Sequence, residues 1–221
     1  MHLTKPDIPY LTSEIIGTDE GCGIFIPANR MLYQFVKDNP SNTDKAQIAS
    51  KALIIGRSLS ASAERRTPSE VDPVTGTANF YDLLGQTIAD SMVGELLDML
   101  DEDQELTPML IGDVVKAHAF LCDAVTKITE KDCSSFSSKY LHFHRPKLFP
   151  MMDSRARTAL KWVADEHDWV FAHTTAGQSK NYRVYVDHFL RARQLFEDYL
   201  ERPLSLREMD NILLNRFDLY I

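Results

Sequence analysis

The chain has 221 residues, a formal net charge of -8, 44% hydrophobic and 25% charged residues, the profile of a soluble globular protein long enough to bury a substantial core. No apolar run approaches the roughly 18 residues of a membrane span, and the opening Met-His-Leu-Thr-Lys is not followed by the apolar core of a signal peptide, so the expectation is a cytoplasmic protein with no membrane partner. Three cysteines, Cys22, Cys122 and Cys133, are odd in number and fall in no CxxC spacing, which argues against a disulfide framework or a zinc knuckle and for reduced thiols.

The segment up to Pro27, with its prolines and glycines around the apolar GIFIP, reads as an extended arm packed on the body. Helices are predicted from Ala28 to Asn39, with Met31, Leu32, Phe35 and Val36 facing inward, and from Asp44 to Ala63. Residues 64–77 form the longest predicted loop. Asn79 is placed to cap a long helix over FYDLLGQTIADSMVGELLDMLDE, in which Gly85 and Gly94 either weaken the helix or admit a close neighbour. The acids from Glu95 to Glu105, with no base among them, mark a solvated helix end and no nucleic-acid surface. Thr107-Pro108 is a start signal for a largely apolar helix placed at the centre of the body. His118 within it is more simply a core imidazole bonded to a carbonyl than a catalytic group.

From Cys133 to Trp162 the chain reads CSSFSSKYLHFHRPKLFPMMDSRARTALKW. Ser134 or Ser135 can cap a short helix with Phe136, Tyr140 and Phe143 as a buried stripe. Pro146 ends that helix, an apolar crossing Leu148-Phe149-Pro150-Met151-Met152 follows, and Asp153 stands at the N-cap of the next helix. Beyond it, DWVFAH from Asp168 to His173 reads as an extended crossing and residues 174–180 as a polar loop. A helix over Tyr182–Arg202 follows, and Ser205-Leu206-Arg207-Glu208 is a capping box opening a last helix. The count is about eight helices and the fold class all-α: one compact domain over residues 1–221, or two closely packed lobes with a cleft near residues 133–162.

Between Lys139 and Lys161 lie six cations and the single acid Asp153. In so acidic a chain, that local excess points either to an anionic partner or to a solvated basic face. His142 and His144 form an HxH pair that could join Asp153 around a metal, yet in a helix two such residues point about 200° apart, and no metal is assigned.

SSKYLHFHRPKLFPMMDSRARTAL resembles a shortened catalytic segment of the helix-hairpin-helix DNA glycosylases, in particular the small 8-oxoguanine-glycosylase-fold proteins of bacterial anti-phage operons, with a looser echo in SLREMDNILL. The family's lysine after the hairpin matches Lys139, and its helix-capping aspartate matches Asp153. The hairpin segment TEKDCSSFSS contains no glycine, so the fold implied is glycosylase-like with a degenerate hairpin, and the lysine and aspartate are 14 residues apart.

The resemblance implies a base-excision enzyme that needs no cofactor and acts on DNA or a nucleotide, with AP lyase chemistry through a lysine Schiff base. Lys139 and Asp153 would be catalytic, and His142, Phe143, Arg145, Lys147, Arg155 and Arg157 would bind substrate. The residues alone leave open a catalytically silent module that binds nucleic acid, a nucleotide or a protein through the same basic patch.

Overall fold

The computed structural model describes residues 11–61, 63, 76–170 and 178–219. The first ten residues of the N-terminal arm, most of the predicted 64–77 loop and residues 171–177 lie outside the described residues. What is described is helical: α1 (Ser13–Ile16), α2 (Phe25–Asp38), α3 (Lys45–Ser58), α4 (Gly76–Ala89), α5 (Val93–Met99), α6 (Ile111–Thr129), α7 (Ser134–His144), α8 (Ser154–Glu166), α9 (Gln178–Leu200) and α10 (Leu206–Leu219). The fold class is all-α, and no described helix is long and apolar enough to cross a membrane.

α6 packs on α4, α5, α7 and α9, the central place expected of it, and α7 is the more fully enclosed of the two. Every residue of α7 except Ser135 is buried, and α2, α3 and α6 all pack on it. Its sequence has one cation and no acid, and Ser134, Ser138, Lys139, His142 and His144 find hydrogen-bond partners within the fold, which lets so polar a helix be enclosed. The helix α6 instead turns Asp113, Lys116, Asp123 and Lys127 outward and packs its other side on α4, α7 and α9. One hydrophobic core runs from Ile16 in α1 to Leu213 in α10.

Several helix boundaries differ from the sequence expectation for identifiable reasons. α2 begins at Phe25 and absorbs part of the predicted arm, because Pro27 falls in the first turn, where an N–H has no intrahelical acceptor to lose. Its inward face is Asn29, Leu32 and Val36, while Met31 is 73% exposed. The long third helix is two helices: Ser91 Oγ donates to Ile88 O at 2.6 Å and accepts from Val93 N at 3.3 Å, so a hydroxyl ends α4 and starts α5. The two glycines serve close approach, since a Cβ at Gly85 would lie 2.5 Å from Lys45 O and one at Gly94 2.8 Å from Asn42 O.

The start of α7 is capped by Asp132, whose carboxylate accepts from Ser134 N at 2.7 Å, rather than by Ser134 or Ser135. Asp168 does not begin an extended crossing: its φ is +53°, and Trp169 N bonds back to Ala164 O at 2.8 Å, closing the end of α8. The capping box at α10 forms as expected, with Ser205 N to Glu208 Oε2 at 2.9 Å and Glu208 N to Ser205 Oγ at 3.1 Å.

Candidate active site

The chain between α7 and α8 is irregular and buried from Leu148 to Met152, so its backbone polar groups need partners that no helix supplies. Side chains supply them. His142 Nδ1 meets Phe149 O at 2.8 Å, Tyr182 Oη donates to Pro150 O at 2.9 Å, and Tyr185 Oη donates to Met151 O at 2.7 Å. Ser138 Oγ accepts from Met152 N at 2.9 Å and reaches Met152 O at 3.2 Å, sharing its proton with Ser135 O. A carbonyl opposite Nδ1 fixes the proton of His142 there, so Nε2 accepts from Tyr33 Oη at 2.8 Å. Burial, the charge of Arg207 and loss of that acceptor role on protonation all disfavour an imidazolium, and the His142 pKa falls to about 3.

This clasp delivers Asp153 to the N-cap of α8, where Oδ1 accepts from Ala156 N at 3.0 Å. Its other oxygen, Oδ2, lies 3.0 Å from Lys139 Nζ on α7. The Lys139 side chain is 9% exposed and that of Asp153 25%. Lys139 also donates to Leu59 O, at the end of α3, at 3.1 Å. Burial pushes the Asp153 carboxyl up, but the Lys139 charge and hydrogen bonds from Ala156 N, Lys139 and Arg155 N outweigh it and hold the carboxyl below the usual range. The two residues proposed from sequence as catalytic are therefore in direct contact.

The residues expected to bind substrate are not all gathered around that pair. His142 is built into the core as described, and Phe143, also buried, packs on Tyr33 with ring centroids 4.6 Å apart. Arg145 turns inward and donates to Leu97 O, Leu100 O and His144 O at 2.7, 2.9 and 2.8 Å, satisfying the carbonyls at the C-terminus of α5. It is a helix cap, not a surface cation. Lys147 is exposed and pairs with Asp103 at 2.9 Å. Arg155 and Arg157 are exposed on α8, beside its Asp153 cap.

The buried histidines His118 and His144 are also held neutral. His144 Nδ1 bonds Tyr140 O at 2.8 Å, while its buried Nε2 has no partner among the described residues; burial, with Lys51 and Arg145 nearby, lowers its pKa to about 3. His142 and His144 thus serve different carbonyls, and no group of three metal-ligating side chains occurs among the described residues. His118 meets Ser134 O at 3.1 Å and stacks on Tyr182, with its pKa lowered to about 4 by burial. Cys122 Sγ lies 3.6 Å from its Nδ1, an apparent thiol–imidazole dyad that sequence reasoning did not raise. Burial pushes that thiol up to about 12, so the pair lacks the thiolate a nucleophile requires.

A second ion pair also escaped the sequence reading: Arg207 Nη1 to Asp210 Oδ2 at 2.8 Å, with side chains 10% and 5% exposed. The available signal was positional, since Asp210 follows Leu206 by four residues and precedes Leu213 by three, within the apolar stripe of α10.

The molecule is thus an all-α protein with a largely enclosed lysine–aspartate contact at a helix N-terminus. No family model, curated protein or solved structure matches this chain.

Proposed function

We propose that this protein is a DNA glycosylase-like base-excision enzyme with AP lyase chemistry, acting in anti-phage defence, in which Lys139 is the nucleophile and Asp153 its electrostatic partner. The observation that carries this is the 3.0 Å contact of Lys139 Nζ with the ionised, helix-capping Asp153. Breaking a glycosidic bond leaves positive charge on C1′ and the ring oxygen, which a fixed carboxylate stabilises. The Lys139 ammonium gives a proton to the departing base anion, and the freed lone pair forms a C–N bond to C1′. A proton then passes from that nitrogen to the ring oxygen, the C1′–O bond opens, and a protonated imine remains. The target base has to leave the duplex for this to occur, and the exposed Arg155 and Arg157 beside Asp153 are suited to the flanking phosphates.

Borohydride trapping on duplexes containing 8-oxoguanine or an abasic site tests the reading. The wild-type protein is expected to form a covalent adduct and Lys139→Gln none, with Asp153→Asn slowed by roughly 10²–10³-fold. Absence of any wild-type adduct on either duplex refutes it.

A second reading is favoured by the bond from Lys139 to Leu59 O, through which the ammonium braces the end of α3 against the start of α8. On that reading the pair is structural, and the exposed cations bind a nucleic acid, nucleotide or protein without chemistry. It predicts that Lys139→Gln loses stability but keeps nucleic-acid affinity, and that wild type does not trap.

A further inference from the structure

Helix α2 carries two apolar faces, and the core covers one of them. Asn29, Leu32 and Val36 point inward, whereas Ile24, Ala28, Met31 and Phe35 lie along another side. Ile24 is 85% and Met31 73% exposed, and Ala28 is exposed as well. Phe35 is half-buried, yet it belongs neither to the hydrophobic core nor to the side chains packed against it among the described residues.

These four residues and Asp38 follow one another at intervals of four, three, four and three, the repeat by which one helix meets a second helix. At 100° per residue the five fall within an arc of about 80°. Arg30 and Lys37 lie outside that arc, and Arg30 is engaged with Glu20 at 2.7 Å. An isolated exposed apolar side chain is ordinary, but a continuous row of them marks an interaction surface.

We propose that this face of α2 joins two copies of the chain, packed antiparallel about a two-fold axis at Met31. Such a contact is isologous, so each position i meets the position equally far beyond the axis on the other copy. Met31 then meets its own counterpart. Phe35 of each copy lies over the small Ala28 of the other, which lets the two rows interlock. Asp38 comes to Ile24, at the N-terminus of the other α2. That N-terminus has no acid in its first turn and no side-chain cap, so the positive end of its dipole is open to a carboxylate. A parallel pair would instead oppose Phe35 to Phe35 and Asp38 to Asp38, bulk against bulk and charge against like charge. The helix has 14 residues, about 21 Å, so the contact belongs to the small class of interfaces and its Kd is expected at roughly 10–100 µM. It does not rest on chemistry at Lys139.

Sedimentation equilibrium of the full chain from about 1 to 500 µM tests the proposal, and the mass is expected to rise from monomer toward dimer. Met31→Glu and Met31→Lys each bring like charges face to face at the axis and are expected to weaken self-association at least about tenfold. An equimolar mixture of the two variants places opposite charges there and is expected to recover association. Both changes fall on an exposed side chain, where substitutions leave folding nearly unaffected, and circular dichroism of each variant checks that its helix content is that of wild type. A mass that stays monomeric throughout, association undiminished in the single variants, or a mixture no stronger than either variant alone overturns the proposal.

Discussion

Lys139–Asp153 and Arg207–Asp210 adjoin the same crossing between α7 and α8, through Asp153 itself and through the Met151 sulfur, and their N–O separations are 3.0 and 2.8 Å. Their carboxyls nevertheless behave oppositely. Asp153 is held below the usual carboxylate range, whereas burial pushes Asp210 up to about 6 against the opposing charge of Arg207, with the Asp153 charge adding to the rise. The distance between the charges is therefore not what decides. Asp153 receives backbone N–H groups at a helix N-terminus and retains some contact with water, while Asp210 lies enclosed within α10, where Arg207, with Lys139 and Arg155 adding less, does not offset its desolvation.

Acidification separates the two regions most strongly. The clasp that holds Asp153 depends on neutral His142, and His118 and His144 are likewise held neutral, with pKa values of about 4 for His118 and about 3 for the other two. Their folded values lie below the ordinary histidine value, so the unfolded chain binds the extra protons. Stability is full above pH about 6.5 and falls as pH drops toward 4, by roughly 6 kcal/mol for the three between pH 7 and 5. Asp210 has the opposite sign: its folded value is raised, so lowering the pH through 6 returns about 1 kcal/mol by pH 5. Urea unfolding at a series of pH values should show a net loss of about 5 kcal/mol over that interval; a flat profile would mean that the imidazoles are not held neutral.

Removing one partner of the enclosed pair comes next in size. Arg207→Ala leaves Asp210 buried and unpaired, a loss of about 3–5 kcal/mol at pH 7. The loss should shrink between pH 7 and 5 as Asp210 takes up a proton, which unfolding titrations at the two pH values measure directly. The smallest effect is expected at the other pair. Asp153→Asn keeps a capping side chain but leaves the buried Lys139 ammonium with Leu59 O alone, and should cost about 1–3 kcal/mol in the same assay, so a drop in trapping reports chemistry where unfolding shows the variant still folded.

What the sequence disclosed followed from whether the cause was local. The caps at Asp153 and Ser205 and the stop before Pro146 are written within four residues, and they stand in the structure where expected. The nearness of Lys139 to Asp153 is legible for the same reason, because a helix, a tight return and a capped helix limit how far apart the two can be. Other features depend on partners far along the chain. Arg145 looks like a surface cation until α5, more than forty residues earlier, presents its carbonyls, and His142 looks available until Tyr33 and Phe149 occupy both its nitrogens. The enclosure of α7 has one local sign, the absence of acids, and otherwise depends on α2, α3 and α6 packing on it.

The side-chain clasp also constrains how the gene can vary. His142, Tyr182, Tyr185 and Ser138 reach the carbonyls of Phe149, Pro150, Met151 and Met152 in strict succession. A substitution at one donor leaves the other three in place, but inserting or deleting a single codon between Arg145 and Asp153 would present every donor with the wrong peptide group at once. Length in this segment is therefore far less free to drift than residue identity, and tolerated insertions belong elsewhere in the chain.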